Sequence, residues 1–181
     1  MKLVEEQLAL SAQEPARWKW VVIGLHNALT GVCVCALTQT DGSGVWKSKQ
    51  EKEFRAALYA NDVSDTTDAD EVLRDGFVES LKELLKRLEI HINLSQEDCW
   101  RHGKDDRERY LRLLHSLRND FTHFRPQAWS IELAGLPTMV AVIIDFIEEI
   151  GLETEYHTHN PFPELDLAER IAAIRRLATQ F

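Results

Sequence analysis

An arginine, an amide and a histidine fall close together at Arg118, Asn119 and His123, in the stretch Leu117-Arg118-Asn119-Asp120-Phe121-Thr122-His123-Phe124. These side-chain types can cleave an RNA phosphodiester without a metal. The 2'-hydroxyl attacks the adjacent phosphorus once a base takes its proton, an acid protonates the departing 5'-oxygen, and a cationic group absorbs the charge that builds on the phosphate. Imidazole has an ordinary pKa near neutrality, which suits His123 to both proton transfers. Arginine presents fixed donors to phosphate oxygens, which suits Arg118 to the developing charge. DNA lacks the 2'-hydroxyl and resists this route.

The element that must position these groups is a helix opening just after Gly103, where Asp105 and Asp106 favour an N-terminus, and running to about Phe124, ahead of Pro126. At about 100° per residue, Tyr110, Leu113, Leu114, Leu117, Phe121 and Phe124 share one apolar arc. Opposite them lie Arg112, His115, Ser116, Asn119 and His123, with Arg118 at the boundary. Asn119 and His123 are helix neighbours, so the amide is expected to orient the imidazole. Arg118 and His123 stand roughly 140° apart on an ideal helix, so one helix aligns them poorly. A flexible arginine, a distorted helix end, or the same helix of a second copy across a two-fold axis would bring both around one phosphate; a homodimer is the geometric expectation for such a site.

The net charge of -9 argues against a protein that coats nucleic acid non-specifically. Between Arg101 and Arg125 the sign reverses, with Arg101, Lys104, Arg107, Arg109, Arg112, Arg118 and Arg125 outnumbering the acids. RNA contact is therefore expected to be local, with Arg112, His115 and Arg125 as candidates for holding the strand. Neither a metal nor a cofactor is expected: there is no Gly-rich phosphate loop, no His-Glu-x-x-His pattern and no zinc-type cysteine spacing. Cys33, Cys35 and Cys99 are read as free thiols in a reducing cytoplasm. His157-Thr158-His159 reads as a loop, and Trp46, Trp100 and Trp129 as packing residues rather than base-stacking platforms.

The remaining pattern is helical throughout. Lys2–Ala12 is a short packing helix, leading in without an apolar signal run. Ala16–Gln39 is the most apolar stretch; Trp20–Leu37 approaches a membrane span in length but carries Gly24, His26, Asn27, Thr30 and Gly31, and is expected to be the buried central helix of a protein outside the membrane. His26-Asn27 within it is expected to form a hydrogen-bonded polar pair inside the bundle, with reach into the cleft of the motif helix as the alternative. Gly42 and Gly44 break the chain. Lys47–Ala60 reads as a charged helix that turns Phe54, Ala57 and Leu58 inward. Asn61–Asp70 reads as an acidic surface loop. Ala69–Glu89 reads as a helix with Val72, Leu73, Phe77, Leu81, Leu84, Leu85 and Leu88 on one stripe. Leu136–Ile150 has Pro137 in its first turn and Gly151 at its end, and Glu164–Gln180 offers Leu165, Ala168, Ile171, Ala172, Ile174 and Leu177 to the body. The class is all-α, a bundle of four or more main helices with short accessory ones, forming a single domain over 1–181.

Arg118-Asn119, three further residues and then His123 resembles the signature of the HEPN superfamily. Trp18-Lys19-Trp20 leading to His26-Asn27-Ala28-Leu29, and Phe124-Arg125-Pro126 leading to Trp129-Ser130-Ile131-Glu132-Leu133-Ala134-Gly135-Leu136-Pro137, are similar to one bacterial and plasmid-borne HEPN branch. The resemblance covers most of the chain. It implies a dimeric helical bundle and, in many members, a metal-independent endoribonuclease of toxin-antitoxin or antiphage systems, with RNA as substrate and an antitoxin protein as partner. Arg118 and His123 would then be catalytic, with Asn119 the polar residue following the arginine. Other members have lost catalysis, so a non-catalytic dimeric module for protein interaction, or for binding a nucleotide or RNA, is the alternative the same residues allow.

Overall fold

Trp18, Val21, Val22, Leu25, Leu29, Val32 and Cys33 recur at helical steps, and all are buried on one side of a single long helix. A computed structural model describes residues 1–39, 42–60, 77–92, 94, 105–122, 133–152 and 164–181. Their elements are α1 (Lys2–Ser11), a 3-10 turn (Pro15–Arg17), α2 (Trp18–Leu37), α3 (Ser48–Ala60), α4 (Leu81–Arg87), α5 (Asp106–Thr122), α6 (Leu136–Leu152) and α7 (Glu164–Ala178). Among the described residues there is no strand, only an isolated antiparallel bridge between Trp46 and Val78. The protein is all-α, as its periodicities predict.

Helix α2 is the axis of the assembly and packs against α1, α4, α5 and α6; α7 closes the bundle against α1 and α6, and α5 lies along α6. One contiguous core joins them. Helix α6 contributes most densely, with Met139, Val140, Ile143, Ile144, Phe146, Ile147 and Ile150 fully buried. Each such side chain is worth about 1.5–3 kcal/mol of burial. With its preceding turn, α2 is long and apolar enough to cross a membrane by length and composition, but here its apolar side is the floor of the core.

Two helix boundaries, and some residues expected to face inward, differ from the sequence expectation. Of Ala69–Glu89, the described helix is only α4, capped by the Ser80 hydroxyl, which accepts from the Glu83 N–H at 3.4 Å. Phe77, expected on the inward stripe, is 66% exposed, because the chain before Ser80 is extended and bonds to the segment after α2: Lys47 N–H donates to Phe77 O at 3.1 Å and Glu79 N–H to Val45 O at 2.9 Å. Helix α6 runs through Gly151 rather than stopping at it. An added Cβ there would lie 2.8 Å from Leu167 of α7 and 3.4 Å from Val32 of α2, so the glycine serves the approach of three helices. In α7, Ile171 and Ile174 are buried as expected, whereas Ala168 and Ala172 face solvent.

The turn after α2 is closed by charged side chains. Gly44 adopts φ +102°, where a Cβ would strike Leu37 O at 2.3 Å. The Glu51 carboxylate of α3 accepts from Gly44 N–H at 2.8 Å and Trp46 N–H at 3.3 Å, and Arg87 of α4 donates to Gly44 O at 2.8 Å and Trp46 O at 2.9 Å. Phe54 of α3 is buried as expected, yet stands apart from the contiguous core. The expectations for Ala57, Leu58, Asn61–Asp70, the start of Ala69–Glu89, Cys99, Trp100, Phe124, Trp129, His157–His159 and Leu165 fall on residues or side chains outside those described.

Candidate functional site at the junction of α2 and α5

Asp105 starts the motif helix as expected, its carboxylate accepting from the Glu108 N–H at 2.8 Å. Tyr110, Leu111, Leu114 and Phe121 are buried, while Leu113 and Leu117 are only partly covered. Leu111, missing from the expected arc, is fully buried, so the inward face is turned from that arc toward Leu111. Arg118 lies one turn from both Leu114 and Phe121, and this turn carries it from the boundary to the side facing α2. Arg107 of the same helix rests over the Phe146 ring at 4.6 Å and pairs with Glu149, which fastens α5 to α6.

On this frame the side chains form a directed chain. The Arg118 guanidinium donates to Asn119 Oδ1 at 3.1 Å, and Asn119 Nδ2 lies 3.2 Å from His115 Nε2. Arginine has only donors, so the amide oxygen must face it and the amide nitrogen must face the imidazole. His115 Nε2 is then an acceptor, which makes the ring neutral with its proton on Nδ1. The expectation that Asn119 orients His123 falls on a residue outside those described; among the described residues its amide fixes the tautomer of His115, one turn earlier. His123 and Arg125 lie outside the described residues.

His26 also lies here, the alternative that the sequence ranks below a hydrogen-bonded pair with Asn27. It is 6% exposed, and its ring centroid is 5.7 Å from that of His115 at an interplanar angle of 33°. The expected hydrogen-bonded pair with Asn27 does not form: Asn27 is exposed on the other side of α2, and neither ring nitrogen of His26 has a hydrogen-bond partner among the described residues. His115 Nδ1 is likewise buried and unpartnered. Only the buried position of a histidine in an otherwise apolar helix signalled His26; its partner across the junction is non-local.

Burial, then the Arg118 charge, then His115 lower the His26 pKa from 6.5 to about 4. Burial, Arg118 and then Lys82 of α4 lower that of His115. Both rings are held neutral, and no carboxylate among the described residues counts among these influences. Arg112 pairs with Glu108 one turn along α5 at 2.5 Å, with both side chains nearly covered, so this candidate for holding RNA is engaged within its own helix. Burial pushes the Cys33 thiol up to about 12, which leaves it un-ionised near neutrality; Cys35 is a half-buried free thiol. Among the described residues no three histidine, cysteine, aspartate or glutamate side chains are grouped to hold a metal.

No protein-family model, no curated protein and no solved structure matches this chain.

Proposed function

We propose that the protein is a HEPN-type, metal-independent endoribonuclease that acts as a homodimer on RNA. The observation that carries this reading is the Arg118 guanidinium, braced by Asn119 and set beside two neutral imidazoles on which no carboxylate among the described residues acts. A braced guanidinium in a half-covered site binds a phosphodiester and steadies the charge of its transition state. His123 supplies the proton transfers, and the second copy supplies the second imidazole. Arg125 extends the phosphate contacts, and the free Cys33 and Cys35 thiols fit a reducing cytoplasm. A toxin-antitoxin or antiphage setting, with an antitoxin protein as partner, goes with this activity.

The test is incubation of purified protein with RNA in the presence of a chelator. Cleavage should leave 2',3'-cyclic phosphate and 5'-hydroxyl ends. Arg118→Ala and His123→Ala should each slow it at least about 100-fold while column sizing still returns a dimer. Intact RNA, with unharmed cells on expression, sinks the nuclease. A second reading draws on the same chain: Arg118, Asn119 and His115 bond to one another, an arrangement that also suits a non-catalytic dimeric module binding RNA, a nucleotide or a protein. RNA binding that survives in His123→Ala, with no cleavage by the wild type, would select it.

A further inference from the structure

Among the described residues three imidazole nitrogens, both of His26 and Nδ1 of His115, are buried without partners on two adjacent rings, within reach of the charge of the half-covered Arg118. Leaving a buried polar atom unpartnered forfeits its hydration without a replacement bond, so the arrangement is unfavourable in the unliganded protein. A metal ion would satisfy paired imidazoles, but the nearby charges oppose a cation. Arg118 acts on both rings and Lys82 on His115, and no third ligand joins them among the described residues. Of the helices packed on α2, α5 brings Arg118 and His115 and α4 brings Lys82; α1 and α6 bring no charged group that acts on either ring. An electropositive site in a chain of net charge -9 is complementary to an anion.

We propose that this junction is a proton-linked oxyanion site: when a phosphate-type oxyanion docks on Arg118 and Asn119, the buried His26–His115 pair binds a proton more readily, so that in mildly acidic solution docking and protonation favour one another. The anion offsets the guanidinium charge that holds the rings neutral, and a proton on the pair then faces a negative group instead of a lone cation. Protonation of His115 at Nε2 would set an N–H against the Asn119 amide nitrogen, so the proton belongs on His26, whose two nitrogens are uncommitted. His26 is in these terms a positioning residue for charge rather than a group that touches the ligand. The proposal rests on the reading of Arg118 as a phosphate binder but not on RNA cleavage.

The experiment is histidine-ring NMR across pH on the full chain, with inorganic sulfate as one probe and a short single-stranded deoxyribonucleotide, which cannot be cleaved by the 2'-hydroxyl route, as the other. Sulfate carries no titratable proton in this range, so any shift belongs to the protein. The His26 midpoint should rise by about one pH unit or more with a saturating probe, and chloride at matched ionic strength should not reproduce the rise. A rise with sulfate assigns a free-anion site; a rise with the oligonucleotide alone assigns a nucleic-acid site. In Arg118→Gln the midpoint should start higher and ignore both probes. A wild-type midpoint that neither probe moves, or that chloride moves equally, overturns the proposal. RNA cleavage with unmoved midpoints would remove the proton linkage and leave the nuclease standing. Moved midpoints with intact RNA would do the reverse.

Discussion

One turn of α2 separates Leu29 from His26, and the two buried side chains stand in opposite relations to their surroundings. Leu29 is fully buried within the contiguous apolar core and contributes to stability without conditions. His26 is almost as deeply covered, yet its nitrogens lack partners among the described residues and its ring lies against another imidazole. The same helix thus holds a segment shaped for cohesion and a segment that gives up cohesion where charge can change. Unsatisfied buried polar groups in a well-packed bundle mark places where function, rather than folding, selects the residue.

The contrast can be broken at either end. Leu29→Ala should cost about 2–5 kcal/mol of unfolding free energy, measured by denaturant titration, and this cost should not depend on pH. Acidification should act through the other residue. The folded-state pKa of His26 is about 4 against an ordinary 6.5, so between these values the unfolded chain holds a proton that the folded protein lacks. Its stability contribution is therefore full above the ordinary value and falls as pH drops toward the folded value, by roughly 3 kcal/mol in all; His115 shifts in the same direction. Denaturant midpoints across this window should show the fall, and His26→Leu should flatten it. At neutral pH His26→Leu should also stabilise the protein by about 1–3 kcal/mol, the reverse in sign of the change one turn away. A destabilising His26→Leu would show that the imidazole is satisfied after all. The smallest effect is expected at Gly151→Ala, within about 1 kcal/mol of zero: helix propensity gains about that much, while the half-exposed Leu167 side chain must shift to admit the methyl group.

Much of the bundle is legible in the chain because α1, α2, α6 and α7 announce themselves through apolar residues at helical steps, and such periodicity is local information. The long helix expected over Ala69–Glu89 shows the limit. Its stripe continues through Phe77, but Ser80 caps α4 and the residues before it bond to Val45 and Lys47, a pairing that no local pattern contains. The site divides in the same way. Asn119 and His115 are neighbours by helical spacing alone, and Arg118 was singled out by residue type. His26 joins them only because α2 and α5 cross, so its role could not be read from spacing. The rotation of α5 that buries Leu111 and brings Arg118 inward likewise depends on packing against α2 and α6.

The closed turn between α2 and α3 sets how the protein comes apart. Among the described residues, α3 lies in packing range of no other helix, and Glu51, Gln50 and the carbonyls gripped by Arg87 tie its start to the rest. Such an element can detach while the bundle stays whole, so its amide protons should exchange with deuterium through a low-energy partial opening, well ahead of those of α2 and α6. Arg87→Ala should speed that exchange in α3 and leave the slowest amides of α6 untouched.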